Sequence, residues 1–318
     1  MVKSRVSLII PSRNERFLNK TVEDILTKAR GDIEIIVVLE GYWPVPMPKE
    51  DPRVVILHNP VATGMRNAIN VACDIATGEF LMKLDAHCML DEGFDLVLKA
   101  DCDTDWMVVP RRYSLEPEEW TFLENGKAPV DYHYLSFPFH PDKPGGGLHG
   151  TVWPEKARRK KDVLLDEEMS SQGSCWFMHR DQWKRIGPMD RKAYGNFVQE
   201  FQELGCKTWL GGGKVMVNKK TWYAHLHKGV KYGRGYSLGR GELGRGIAYA
   251  VDYWLHNRWQ ERKHDFSWLI EKFWPVPGWP DNWEEVIKTS KFEYVPHEGR
   301  SRDAFRAAAE LMKGVKED

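Results

Sequence analysis

Strongly apolar segments alternate with segments of helical periodicity through the first hundred residues of the chain. Four segments have the composition of buried strands: RVSLIIP, IEIIVVLEG, RVVILHN and EFLMKLDAH. Between them, FLNKTVEDILTKA and TGMRNAINVACDIAT carry apolar residues at helical spacing. Strands that are apolar on both faces need helices on both sides of their sheet, which is typical of parallel sheets. The sequence therefore predicts an α/β fold with a mostly parallel central sheet flanked by helices.

Polar residues cluster where these strands end. The ends are Pro11–Glu15, Glu40-Gly41 and Asp85–His87. Ligands of open parallel sheets bind beyond the carboxyl ends of the strands. Neither a GxGxxG nor a GxxxxGK[ST] loop follows the first strand, which excludes the two commonest phosphate-binding loops. The pattern indicates a Rossmann-like, nucleotide-binding half with a different kind of site.

The segment EFLMKLDAHCML, residues 79–90, delivers two metal-binding groups to one strand end. Asp85 and His87 are two residues apart, so in an extended chain both side chains point to the same side. A carboxylate and an imidazole aimed at one point indicate a cation site.

Composition narrows the class of protein. Lys plus Arg and Asp plus Glu both number 46, so the net charge is zero, which disfavours a dedicated nucleic-acid coat or a polybasic membrane binder. The five cysteines are widely spaced without a CxxC pair, which favours reduced thiols. No apolar run approaches the roughly 20 residues of a membrane span, and the start is too short in apolar residues for a signal peptide. These features predict a soluble, cytoplasmic protein.

The second half is predicted less regularly. DKPGGGLHG and EKARRKKDVLLDEE have the composition of loops or charged surface segments. GSCWFMHRDQWKRIG predicts a strand and a helix, NFVQEFQELGCKTWL a helix, and GGKVMVNKKTWYAHLHK a strand that ends near His225 and His227. Three Gly-Arg pairs within residues 229–246 predict a flexible loop with an anionic ligand. A helix from residue 247 and a Trp- and Pro-rich stretch precede a polar final helix.

The ordered set of these motifs resembles the GT-A fold glycosyltransferases of the family-two type, and in particular the catalytic domain of polypeptide N-acetylgalactosaminyltransferases. Those enzymes carry a DxH motif, which matches Asp85-Ala86-His87, and further along the pattern E-x-x-E, Trp, Gly-Gly-Lys and a strand-terminal His. The matching residues here are Glu200, Glu203, Trp209, Gly212-Gly213-Lys214 and His225. The resemblance covers roughly residues 5–260. It implies a catalytic domain over 1–260, with a nucleotide-sugar half (1–110) and an acceptor and metal half (111–246), followed by a helical, Trp-rich extension over 261–318.

The resemblance implies that Asp85, His87 and His225 hold Mn²⁺ or another divalent cation, which binds the diphosphate of a nucleotide sugar such as a UDP-sugar. One carboxylate and two imidazoles suit Mn²⁺ better than Mg²⁺. His227 competes with His225 because it lies two residues further on, and the family position favours His225.

Other positions carry over from the same resemblance to the donor. Pro11, Arg13 and Glu15 correspond to the first-strand end that meets uridine, and Glu40 to an acidic residue at the nucleoside. Gly64, Arg66 and Asn67 open a helix whose N-terminus favours anions. In the loop over 229–246, Lys231, Arg234, Arg240 or Arg245 are candidates to bind the diphosphate and exclude water.

The catalytic base and the acceptor remain open. Many inverting family-two enzymes have an Asp after the first Glu of the acidic helix, and here that position is Phe201. Either Glu200 or Glu203 serves as base, since they lie one helical turn apart, or the reaction retains configuration and the leaving phosphate accepts the proton, which we favour. Acceptor hypotheses are a hydroxymethylated base of phage DNA, motivated by the basic segment 157–161, a cell-envelope glycan, or a Ser or Thr side chain. A non-catalytic nucleotide-sugar or glycan-binding relative is the alternative to an enzyme. Because no lectin-like repeat follows residue 260, we expect a compact bacterial or phage relative.

Overall fold

The computed structural model describes residues 4–123, 126–138, 147–234, 236, 238 and 240–289, with only the backbone of Arg240. Its strands are β1 (Val6–Ser12), β2 (Ile33–Glu40), β3 (Val54–Asn59), β4 (Phe80–Leu84), β5 (Cys88–Leu90), β6 (Trp106–Glu116), β7 (Thr121–Phe122), β8 (His133–Leu135), β9 (Gly150–Val152), β10 (Leu165–Glu167), β11 (Cys175–His179) and β12 (Lys214–His225). Its helices are α1 (Leu18–Lys28), α2 (Met65–Ile75), α3 (Phe94–Ala100), α4 (Pro154–Arg159), α5 (Arg180–Ile186), α6 (Arg191–Tyr194), α7 (Glu200–Leu210), α8 (Gly229–Tyr232), α9 (Arg240–Leu255), α10 (Phe266–Phe273) and α11 (Trp283–Thr289).

One large sheet organises the chain, with the strand order β10-β12-β6-β11-β4-β1-β2-β3. The half formed by β4, β1, β2 and β3 is parallel, as the apolar segments predicted. Every residue of β2 is buried, because α1 and α2 bring apolar faces to the sheet. The predicted α/β fold with a mostly parallel central sheet flanked by helices is confirmed.

The other half of the sheet is mixed. β11 runs antiparallel to both β4 and β6, while β6 and β12 are parallel to each other. β5 pairs with the carboxyl end of β12, and β7 with that of β6. This half brings the ends of β4 and β12 to the same region of the sheet.

Two segments differ from the sequence prediction. EKARRKKDVLLDEE, predicted as loop or surface, contains α4 and β10. No residue of α4 is buried, so it lacks the apolar periodicity that would have revealed it, and β10 is defined by its pairing with β12. The predicted loop over 229–246 is wrong at both ends, because residues 229–232 form α8 and α9 already begins at residue 240.

The described part of the Trp-rich extension packs onto the main core. Phe266 and Leu269 of α10, together with Trp279 and Trp283, belong to the same buried cluster as the central strands. The region after this stretch, predicted as a polar final helix, is described only as far as the end of α11, and residues 290–318 lie outside the described residues. All five cysteines are free thiols. Among the described residues, no helix has the length and apolar character that crossing a membrane requires.

Candidate active site

Three potential metal ligands meet at the joined ends of β4 and β12. A tight turn through Asp85, Ala86 and His87 connects β4 to β5, and β5 pairs antiparallel with β12 so that Cys88 lies opposite His225. This pairing brings Asp85 Oδ2 to 3.2 Å and His87 Nε2 to 3.1 Å from His225 Nε2. One ligand atom from each residue lies within 4.8 Å of the other two. Asp85, His87 and His225 therefore lie together, as the DxH motif and the strand ends predicted.

His227 lies beyond the end of β12 and outside this group. Its ring is perpendicular to that of His225, with the ring centroids 5.0 Å apart. The geometry thus supports His225 over His227 as the third ligand.

The ionisation of the group suits a cation. Burial opposes the charge on Asp85, but the Lys83 ammonium and the hydrogen bond with His225 outweigh it, so the pKa of that carboxyl lies well below its ordinary value. Burial lowers the pKa of His225 to about 3, so this imidazole is neutral near pH 7 and has a lone pair to offer. A carboxylate and a neutral imidazole are the forms in which these side chains bind metals.

Glu15 contacts the ring nitrogen of His87 that points away from His225. Its Oε2 lies 2.9 Å from His87 Nδ1 and also accepts a hydrogen bond from Lys228. Burial alone would raise the pKa of Glu15, but His87 and Lys228 together lower it. A carboxylate on the far ring nitrogen of a ligating His fixes the tautomer and raises its basicity. The structure therefore gives Glu15, predicted to meet uridine, a contact that orients the ring of the candidate ligand His87.

Lys83 is a site residue that sequence reasoning missed. It is fully buried, and its ammonium donates to Asp85 Oδ1 at 2.6 Å, to Glu200 Oε2 at 3.2 Å and to the carbonyl of Gly173. With all three protons in use, it ties Asp85 and Glu200 together and leaves Asp85 Oδ2 toward the histidines. A lysine within the otherwise apolar strand FLMKL was the available signal, because a buried lysine requires anionic partners.

A cavity of about 1040 Å³ opens over this group. Pro11, Arg13 and Arg234, which are candidates for donor binding, line it. The guanidinium of Arg13 lies 4.4 Å from the ring centroid of Tyr236, and that of Arg234 lies 5.2 Å from the ring of Phe197. Cationic side chains from the end of β1 and from the segment after β12 therefore lie in the same cavity as Asp85, His87 and His225.

Glu200 reaches the same cavity from the start of α7. Its Oε1 accepts from Trp176 Nε1 at 2.8 Å, and its Oε2 contacts Lys83. Burial raises the pKa of Glu200. Both oxygens are therefore engaged within the protein.

Glu203, predicted to share the face of Glu200, lies in the interior instead. It is 1% exposed and forms ion pairs with Arg66, which is 0% exposed, and with Lys207. Arg66 also donates from Nε to the carbonyl of Val198 at 3.1 Å and stacks over the ring of Tyr194 at 4.4 Å. Neither residue lines the cavity, so the structure places both in an internal ion-pair network rather than at the donor or at the acceptor.

The remaining donor candidates lie around the start of α2. Glu40 accepts from the backbone N–H of Gly64 at 2.8 Å and from that of Thr63, and so it holds the turn before the helix. Gly64 has the left-handed φ of 97°, and an added Cβ would lie 2.6 Å from Asn196. Asn67 accepts from Arg191. None of the three lines the cavity, and the side chain of Arg240 is outside the described residues.

The basic segment behind the DNA hypothesis does not border the cavity. Residues 157–161 belong to α4 and the turn after it, on the strand-β10 edge of the sheet. Their position lends no support to nucleic-acid binding at the site.

Comparison with known proteins places the chain in a family. Residues 7–186, which are 180 of the 318 residues, match the model of Glycosyl transferase family 2. The chain belongs to glycosyl transferase family 2. A family 2 protein with this site is a glycosyltransferase, which confirms the prediction of an enzyme.

Individual relatives agree with the family. This family 2 enzyme is 22% identical over 270 residues to a probable N-acetylgalactosaminyltransferase 7 of Caenorhabditis elegans, covering 79% of this chain and 43% of the relative. A crystal structure of GalNAc-T7 with UDP, GalNAc and Mn²⁺ matches with a TM-score of 0.62 at 16% identity, over 93% of this chain and 59% of that one. A crystal structure of S. aureus TarS matches with a TM-score of 0.50 at 11% identity, over 83% of this chain and 41% of that one. The GT-A fold and the resemblance to N-acetylgalactosaminyltransferases are confirmed, and the chain spans less than two thirds of each relative.

Proposed function

We propose that the protein transfers a sugar from a UDP-sugar to an acceptor hydroxyl and depends on Mn²⁺ or a similar divalent cation. The observation that carries the proposal is the convergence of Asp85, His87 and His225 on one point at the rim of a large cavity. The GalNAc-T7 structure with UDP and Mn²⁺ supports the choice of donor and metal.

Different residues around the cavity have different roles in activating the donor. A divalent cation, when bound, supplies Lewis-acid stabilisation of the departing diphosphate. Asp85, His87 and His225 hold it, and Glu15 keeps the His87 ring in the ligating tautomer. Arg13 and Arg234 bind diphosphate oxygens by their position on the cavity wall and exclude water from the donor.

We propose retention of configuration, with the proton of the acceptor hydroxyl passing to the leaving diphosphate. Three carboxylates of the described residues line the cavity: Glu15, Asp85 and Glu200. Each already holds a protein partner, namely His87, Lys83 and Trp176 respectively. Both oxygens of Glu200 contact protein groups, and Glu203 is buried in ion pairs with Arg66 and Lys207, so neither candidate base has a free oxygen for the acceptor. NMR of the anomeric configuration of the product tests this point, and an inverted product would require Glu200 to act as base.

The domain limits are part of the same proposal. We assign residues 1–260 to the catalytic domain, with 1–110 binding the nucleotide sugar and 111–246 contributing the acceptor and metal half. The family match over 7–186 lies within the proposed catalytic domain. The described part of the extension, residues 261–289, acts as a helical brace, as the packing of α10 against α7 and α9 supports.

A donor screen tests the function. Purified protein is incubated with UDP- and GDP-sugars, with Mn²⁺, Mg²⁺ or EDTA, and release of nucleoside diphosphate is measured. The expected result is Mn²⁺-dependent release of UDP from one UDP-sugar. Undiminished turnover in EDTA, or release only from GDP-sugars, would overturn the proposed metal or donor.

A further inference from the structure

The lining of the cavity contains two chemically different sets of residues. The charged side chains are Arg13, Glu15, Lys83, Asp85, Glu200, Lys228 and Arg234. The second set, which we call the glutamine wall, carries amides, a hydroxyl and an imidazole. The glutamine wall consists of His149, Ser171, Gln172, Gln199 and Gln202, all of which line the cavity.

Gln199 is the residue of the glutamine wall that most clearly lacks a partner. It precedes α7 in the left-handed conformation, with φ 60°, and its side chain is 5% exposed. Its Nε2 lies 3.3 Å from the carbonyl oxygen of Gly147. Its Oε1 is buried and has no hydrogen-bond partner among the residues that the structure describes. A buried amide oxygen without a donor costs free energy that a bound hydroxyl would recover.

Hydrogen bonds to other protein groups fix the side chains of the neighbouring glutamines. Gln202 Nε2 donates to the carbonyl of Ser171 at 3.0 Å. Gln172 Oε1 accepts from Arg112, so the amide nitrogen is the group that Gln172 can offer to a ligand. The wall therefore presents fixed amide groups rather than mobile charged ones.

We propose that the glutamine wall binds the acceptor, that Gln199 Oε1 accepts a hydrogen bond from it, and that the acceptor is a neutral carbohydrate. The inference rests on the proposed function, since it assigns the second substrate of the same site. Sugar hydroxyls donate and accept, so they match amide and imidazole groups without bringing a charge to be neutralised. A nucleic acid brings phosphates that require Lys or Arg, and the glutamine wall has neither.

The experiment measures how UDP-sugar turnover divides between transfer and hydrolysis. Full-length protein with Mn²⁺ and its donor is given neutral octyl glycosides, a Ser/Thr peptide, or an oligonucleotide with hydroxymethylated bases. Product and UDP are quantified together for the wild type, Gln199→Gly and Gln199→Glu. Glycine accepts the positive φ at residue 199, so Gln199→Gly removes the amide while relieving the backbone.

We expect an octyl glycoside to be the acceptor and Gln199→Gly to lower the transfer-to-hydrolysis ratio by about tenfold, the effect of losing roughly one hydrogen bond. Gln199→Glu keeps an oxygen that accepts, so it should lower the ratio less. The acceptor KM rises in the Gly variant although its melting temperature does not fall. Gln260→Glu, at an exposed position outside the cavity, is the matched control and keeps the wild-type ratio.

Three results would overturn the inference while leaving the proposed function intact. These are transfer to the oligonucleotide or the peptide alone, hydrolysis with no acceptor used, and an unchanged ratio in both Gln199 variants. Absence of any Mn²⁺-dependent UDP release from wild-type protein would instead refute the proposed function and the inference together.

Discussion

Replacing Arg66 with Met separates a donor-binding role from a structural one. Sequence resemblance assigns Arg66 to the donor, whereas the structure pairs it with Glu203 in the interior, with exposures of 0% and 1%. Methionine has a similar length without charge, so the variant removes the ion pair with little change in volume.

The expected loss of stability follows from the burial of the pair. Removing one partner of a fully buried ion pair costs about 3–5 kcal/mol, because the other charge stays buried without its counterion. Lys207 still contacts Glu203 at 2.8 Å, which favours the lower end of that range. For a chain of 318 residues, the lower end corresponds to a fall of about 4–5 °C in the melting temperature.

Urea unfolding and calorimetry measure the stability, and steady-state kinetics at 15 °C measure the donor KM of the folded enzyme. We expect Arg66→Met to be strongly destabilised with a donor KM within about threefold of the wild type. The triple variant Arg66→Met/Glu203→Met/Lys207→Met also removes the second partner of Glu203 and should recover much of the loss, because replacing a whole buried ion-pair network by apolar residues is often nearly neutral. Arg158→Met removes an exposed ion pair and is the matched control, with almost no change in melting temperature. A large rise in donor KM with unchanged stability would refute the structural assignment of Arg66.

Three further predictions concern the metal group and pH. Asp85→Asn and His225→Ala should each weaken Mn²⁺ binding more than about 100-fold, whereas the affinity of His227→Ala should stay within threefold of the wild type. The EPR signal of free Mn²⁺ measures the affinity, and a larger loss in His227→Ala than in His225→Ala would contradict the ligand set. Glu15→Gln should weaken Mn²⁺ binding about 10- to 100-fold through the orientation of His87, and an unchanged affinity would show that this contact is dispensable. Burial and the nearby charge of Arg112 lower the pKa of His133 to about 3. Between pH 6.5 and 3, the unfolded chain therefore binds a proton that the folded protein does not, and the free energy of unfolding falls as the pH falls. At pH 5 this loss is about 2 kcal/mol relative to pH 7, and the stability of His133→Gln should depend less on pH, whereas equal slopes would exclude His133 as the cause.

Local sequence was sufficient for the parallel half of the fold and for two of the three potential ligands. The segments of β1, β2 and β4 are apolar on both faces, so only a sheet covered on both sides accommodates them. Asp85 and His87 belong to one short segment, so their proximity is a local property of the chain. The third ligand, His225, was found through the order of the motifs along the chain, and its contact with the pair depends on the pairing of β5 with β12.

Only the tertiary structure decided which charged side chains face the cavity. All eleven residues of α7 are buried, so no polar face indicates the direction of Glu200 or Glu203. The first turns to Lys83 and Trp176, and the second to Arg66 and Lys207 on the other side. A buried charge is stable only where a partner from a distant part of the chain meets it, and such meetings depend on how helices and strands pack rather than on the spacing of residues within any one of them.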